Sequence, residues 1–95
     1  MQSIKQKEHV LIRAWGRVQG VFYRRGVEAV AAGLGLKGYA QNNPDGSVTI
    51  EAEGDLESLR ELVQWCADGT EAAEVERVET EWSEALQYYM EFEVR

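Results

Sequence analysis

Residues 9–34 read HVLIRAWGRVQGVFYRRGVEAVAAGL, and the period of the pattern changes within this stretch. In His9–Trp15, Val10, Ile12 and Ala14 share one side and Leu11, Arg13 and Trp15 the other. That is the period of a strand. From Val27 onward, Val27, Val30, Ala31 and Leu34 stand at i, i+3, i+4 and i+7, the apolar stripe of a helix. The helix is expected to run from Val21 or Phe22 to Ala32 or Gly33, with Gly33 and Gly35 as its stop. Between strand and helix lies Gly16–Arg25, GRVQGVFYRR, with two glycines, three arginines and no acid. Such a loop can turn its N–H groups and the positive end of the helix dipole on an anion, with an arginine as a fork of donors. Pattern alone leaves two readings open: an anion site, or an ordinary connection with solvated arginines. It also does not choose between Arg24 and Arg25, which point about 100° apart on a helix.

Outward from this unit, Leu36–Asn43 is short enough for a second strand. Asn43-Pro44-Asp45-Gly46 has the chemistry of a tight turn, and Ser47–Glu53 alternates as a third strand, so the two make a hairpin. The alternation puts Glu51 and Glu53 on a wet face. A second helix follows, with Asp55 as N-cap candidate, Leu59, Leu62, Val63 and Cys66 as its stripe, and Gly69 as its end. Thr70–Glu76 reads as a loop. Val78, Thr80 and Trp82 alternate, as do Tyr88, Met90, Phe92 and Val94, giving closing strand segments. The order βαββαβ predicts an α+β, ferredoxin-like split βαβ fold, with sheet order 4-1-3-2 and two helices on one face. The first and second strands then run parallel on either side of the third. Their C-terminal ends share one edge of the sheet, about 10 Å apart. Gly38, Ala40 and Asn42 share the helix-covered side, so Asn42 is expected beside the start of the first helix.

The chain has 95 residues, 44% hydrophobic and 28% charged, and residues 1–95 are read as one domain. The first ten residues, MQSIKQKEHV, hold no apolar leader, and no run approaches a membrane span, so a cytoplasmic protein is expected. The single cysteine, Cys66, cannot form an internal disulfide. With one cysteine and one histidine, a transition-metal site is not expected. The net charge is −7, unevenly spread: residues 1–25 carry six basic side chains against Glu8 alone, and residues 26–95 four against sixteen acidic ones. An acidic body argues against a nucleic-acid surface while permitting a local anion pocket. RNA binding through the sheet would need exposed aromatic residues, and the third strand offers Thr49, Glu51 and Glu53 instead. His9 is expected at the surface, Cys66 and the three tryptophans in packing roles, and Arg25 solvated or ion-paired.

Two separated signatures carry a resemblance. Val18–Arg24 reads VQGV-aromatic-aromatic-Arg, and Gly38–Asn42 reads Gly-aromatic-x-x-Asn before an Asp-Gly turn. Together they closely resemble the acylphosphatase family, densely over Gly16–Gly54 and more weakly to the C-terminus. The resemblance implies a ferredoxin-like fold and hydrolysis of the carboxyl–phosphate bond of acyl phosphates, with inorganic phosphate as product and neither metal nor cofactor. It implies that Arg24, directly after the aromatic pair, holds the phosphoryl group, and that Asn42 is the catalytic asparagine. It also implies a phosphate cradle of Gln19, Gly20, Val21, Phe22 and Tyr23. Phe22-Tyr23 stands where many relatives have Gly-Phe, and Tyr39 stands where tryptophan is commoner. Neither departure falls on Arg24 or Asn42. Expected partners are a small acyl phosphate and its products, with no nucleic acid, no membrane and a monomeric state. A phosphate-binding module without hydrolysis is the competing reading, separated by an assay of phosphate release.

Overall fold

A computed structural model describes residues 7–95, so the reading of Met1–Gln6 lies outside the described residues. The elements are β1 (Lys7–Arg17), α1 (Tyr23–Gly33), β2 (Lys37–Asn42), β3 (Val48–Asp55), α2 (Leu56–Asp68), β4 (Glu74–Glu84) and β5 (Phe92–Val94). They form one sheet in the order β4-β1-β3-β2-β5. The ferredoxin-like order 4-1-3-2 is therefore present, with a fifth strand added beside β2. β3 pairs antiparallel with both β1 and β2, so those two strands run parallel. Val48 faces Ala14 on one side and Asn42 on the other, which aligns the C-terminal ends of β1 and β2 on one row.

The buried side chains explain the two layers. Val10, Ile12, Ala14, Ala40, Val48, Ile50 and Ala52 face Val27 and Ala31 of α1 and Leu59, Leu62 and Cys66 of α2. Each fully buried valine, leucine or isoleucine among them contributes about 1.5–3 kcal/mol. The alternation expected in β1 and β3 and the helical stripes are both realised here. Burial raises the Cys66 thiol to about 12, in keeping with a packing role. No helix among the described residues is long and apolar enough to cross a membrane.

Several expectations are corrected. α1 begins at Tyr23 because Phe22 takes a left-handed conformation (φ 62°, ψ 21°) and serves as N-cap. Asp55 sits at the N-cap of α2 but makes no capping bond; its carboxylate lies 3.3 Å from Lys7 Nζ. β4 starts at Glu74, inside the stretch expected to be a loop, because β1 extends to Arg17 and pairs that far. Tyr88 and Met90 are not in a strand. Residues 85–91 must cross from β4 at one sheet edge to β5 at the other, and Met90 is 89% exposed on the way. That crossing also buries Glu53, which is 6% exposed: its carboxylate accepts the N–H groups of Leu86 at 2.7 Å and Gln87 at 3.2 Å. His9 is likewise enclosed, its side chain 12% exposed. Its Nε2 lies 2.8 Å from Glu51 Oε1 and its Nδ1 3.1 Å from Ser83 Oγ. The face expected to be wet is thus half covered by the chain itself.

Candidate active site

The loop between β1 and α1 is shaped by its glycines. Gly16 (φ 120°) lies where the β1–β4 register shifts, and a Cβ there would meet Glu74 O at 2.2 Å. Only glycine allows β4 to approach so closely while β1 turns away from its partner. Gly20 (φ 74°) makes the next reversal in open space. Two side chains then tie the loop down from either flank. Gln19 Nε2 donates to Asn43 O at 2.8 Å and to Ser47 O at 2.9 Å, and Thr70 Oγ1 donates to Val21 O at 2.8 Å. The first joins the loop to the β2–β3 turn, the second to the segment leaving α2. That turn is itself stiffened: Asp45 Oδ1 accepts the Ser47 N–H at 2.9 Å and the Ser47 hydroxyl, which hold its carboxyl below the usual range.

The start of α1 is left uncapped. Among the described residues no side chain bonds its first N–H groups, and the first backbone bond into the turn is Gly26 N–H to Phe22 O at 3.0 Å. N–H groups ahead of that bond are the orphan donors of a helix N-terminus. They open onto a cleft of about 500 Å³ lined by Val18, Gly20, Phe22, Tyr23, Arg24, Arg25, Asn42 and Val94. The end of β2 and the start of α1 therefore meet in one cavity, as the parallel arrangement of β1 and β2 requires.

Each expected site residue has a definite place. Arg24 lines the cleft and its Nη1 donates to the main-chain oxygen of Arg95. Arg25 also reaches the cleft, but its Nη1 pairs with Glu28 Oε1 at 3.2 Å, as expected of an ion-paired helix residue. Asn42 lines the cleft, and its side-chain Oδ1 is buried without a hydrogen-bond partner among the described residues. Gly20, Phe22 and Tyr23 line the cleft, whereas Gln19 and Val21 support it from outside. The Gln19 side chain is committed to the turn, so only its backbone is free for a ligand.

Tyr23 contributes its backbone alone. Its ring is buried against Trp65, with centroids 5.6 Å apart, and its hydroxyl donates to Cys66 O at 2.7 Å. Burial, with the Cys66 contact second, pushes its phenol well above the usual range. The Cys66 carbonyl belongs to the last turn of α2, where carbonyls lack helical donors. Tyr23→Phe strands it, and should lower unfolding stability by about 1–2 kcal/mol. Urea denaturation checks this: the midpoint should fall with the m-value unchanged.

Sequence reasoning missed the wall supplied by β5. β5 pairs parallel with β2, placing Val94 beside Ala40 and in the cleft. Arg95 N–H donates to Ala40 O at 2.8 Å, and the Arg95 guanidinium lies 4.1 Å from the Tyr39 ring centroid. Tyr39 in turn donates its hydroxyl to Glu51 and lies against Tyr89, the two rings tilted by 58° with centroids 6.0 Å apart. Burial and then the Glu51 carboxylate push the Tyr39 phenol upward. The alternation of Phe92 and Val94 marked a strand, but nothing in it named β2 as partner. Among the described residues, no three His, Cys, Asp or Glu side chains gather as a metal centre would need.

A family model described as Acylphosphatase matches residues 10–94. An acylphosphatase of Hahella chejuensis is 45% identical over 94 residues, spanning 97% of this chain and 98% of that protein. The crystal structure of acylphosphatase from Bacillus subtilis superposes with a TM-score of 0.89 at 31% identity, covering 93% of this chain and 98% of that one. An acylphosphatase structure from Coxiella burnetii also gives 0.89 at 31% identity, covering 99% of this chain and 100% of that one.

Proposed function

The chain belongs to the acylphosphatase family, and we propose that its β1–α1 loop and the end of β2 form the two halves of the hydrolytic site. It is an enzyme that hydrolyses the carboxyl–phosphate bond of acyl phosphates, releasing a carboxylate and inorganic phosphate. In the proposed division of labour, the uncapped N–H groups from about Gln19 to Tyr23 hold the phosphoryl oxygens. Arg24 neutralises their charge with a two-pronged guanidinium, and Asn42 orients the attacking water.

The observation that carries this reading is Asn42 Oδ1: a buried acceptor without a partner among the described residues, in the same cleft as Arg24. Such an atom costs about 1–3 kcal/mol when left unsatisfied. A water donating to it would remove that cost and be held for attack. The water oxygen forms the new bond to phosphorus while the bond from phosphorus to the acyl oxygen breaks. The carboxylate leaves with the electron pair. Because carboxylate is a good leaving group, no strong acid is needed at this step. An amide side chain is not a base, so the water's proton passes to the phosphoryl group itself. What remains for the protein is alignment and charge stabilisation, which amides and one arginine supply.

The reading requires neither metal nor cofactor. It takes the enzyme to be a monomer. It has the enzyme act in the cytoplasm, where a lone thiol stays reduced. Phosphate release from acetyl phosphate, followed with excess chelator present, tests it. Turnover well above the spontaneous rate is expected. A rate equal to background would remove the hydrolytic role and leave a phosphate-binding module.

A further inference from the structure

We infer that Phe22 contacts the acyl group of the substrate and tilts selectivity toward aromatic acyl phosphates over short aliphatic ones. The inference rests on the cleft being an acyl phosphate site. Phe22 is 80% exposed, yet it lines the cleft. The other lining side chains cannot offer a large apolar surface to a ligand. Val18 and Tyr23 are buried, Arg24 and Arg25 are cationic, Asn42 is polar, and Val94 is small and half-buried. Phe22 is the one broad apolar surface standing in solvent at the mouth.

Its backbone makes the exposure more telling. With φ 62° and ψ 21° it occupies a region that costs a side-chain-bearing residue of order 1–3 kcal/mol, and glycine far less. The protein recovers little of this through packing, since Phe22 is 80% exposed. A bulky residue in a costly conformation, with its backbone beside the phosphate donors and its ring at the mouth, fits a role toward the rest of the ligand.

The chemistry gives that direction. The phosphoryl oxygens are drawn to the N–H groups at the start of α1, which line the cleft. The acyl group, joined through the bridging oxygen, must extend toward solvent. An acetyl group ends within two carbons and leaves little to touch. A benzoyl ring reaches further and can pack offset or edge-on against Phe22, an arrangement worth a few-fold to tenfold in affinity.

The test measures kcat/KM for benzoyl phosphate and acetyl phosphate in the wild-type enzyme and in Phe22→Ala and Phe22→Tyr. The ratio of the two substrates cancels any effect on shared phosphate binding, and comparing that ratio between wild type and variant cancels the intrinsic reactivity difference between them. Phe22→Ala should lower the benzoyl-to-acetyl ratio about fivefold, and Phe22→Tyr should keep it within about twofold. An unchanged ratio in Phe22→Ala, with both substrates still hydrolysed, overturns the inference and leaves the catalytic reading standing. An equal fall in Phe22→Tyr also overturns it, because that variant keeps the ring and ring contact could not then be responsible for the fall. Failure of the wild-type enzyme to hydrolyse either substrate overturns the catalytic reading itself. Inhibition by inorganic phosphate, measured in the same variants, reports whether the loop is intact.

Discussion

Arg24→Ala and Arg24→Lys should each lower kcat/KM for acetyl phosphate by on the order of 10²-fold or more, the scale of a lost electrostatic contact to the transition state. Alanine removes the charge. Lysine keeps a charge and three donors but not the planar fork, so it cannot reproduce the two parallel bonds of a guanidinium to two phosphoryl oxygens. The setting of Arg24 sharpens the expectation. Its Nη1 is held by the main-chain oxygen of Arg95, which is itself anchored through Ala40 O and the Tyr39 ring. One nitrogen fixes the guanidinium while the others remain for the substrate. A lysine donates from a single nitrogen, so it cannot hold Arg95 with one nitrogen and meet the substrate with others as a guanidinium does. Arg25→Ala is the control. Its guanidinium pairs with Glu28, so its loss should cost far less. Steady-state kinetics on the three variants decide the matter: a larger loss in Arg25→Ala than in Arg24→Ala would reverse the roles of the two arginines.

The choice between these arginines shows where sequence reading stops. Helical geometry says that Arg24 and Arg25 diverge, but not which of them turns toward β2. That depends on β5, a three-residue strand that pairs with β2 across half the chain. Three residues carry too little pattern to name a distant partner, and alternation is blind to sheet order. Asn42 was legible for the opposite reason. Its parity with Gly38 and Ala40 and the parallel course of β1 and β2 are both local or topological facts, and both follow from hydrophobic period. Tyr23 lies between these cases. Its place four residues before Val27 puts it on the apolar stripe, but does not reveal that its hydroxyl finds Cys66 O.

Glu53 and His9 mark a second limit. Strand alternation assigns a side chain to a face but cannot tell whether that face stays open. Here the crossing from β4 to β5 passes over one end of the face and spends two of its N–H groups on Glu53. His9 is closed in between Glu51 and Ser83 by the neighbouring strands. An unpaired polar residue in a strand pattern therefore reads as solvated until the long connection is traced.

Asn42→Ala separates water positioning from phosphate binding. It removes the unpartnered Oδ1 and leaves Arg24 and the loop N–H groups untouched. If that oxygen aligns the nucleophile, kcat should fall on the order of 10²-fold, since a misplaced nucleophile forfeits much of the advantage of proximity. Inhibition by inorganic phosphate should change little, because the anion's donors lie on the other half of the cleft. Asn42→Asp is the sterner variant. It retains an acceptor for water but sets a negative charge against the phosphoryl group, so both kcat and phosphate affinity should drop. A large loss of phosphate affinity in Asn42→Ala would make the amide a ligand of the anion, with its nitrogen rather than its oxygen as the working atom. The paired measurement of kcat and phosphate inhibition in the two variants distinguishes these roles, because only a water-holding oxygen predicts that alanine spares binding while aspartate does not.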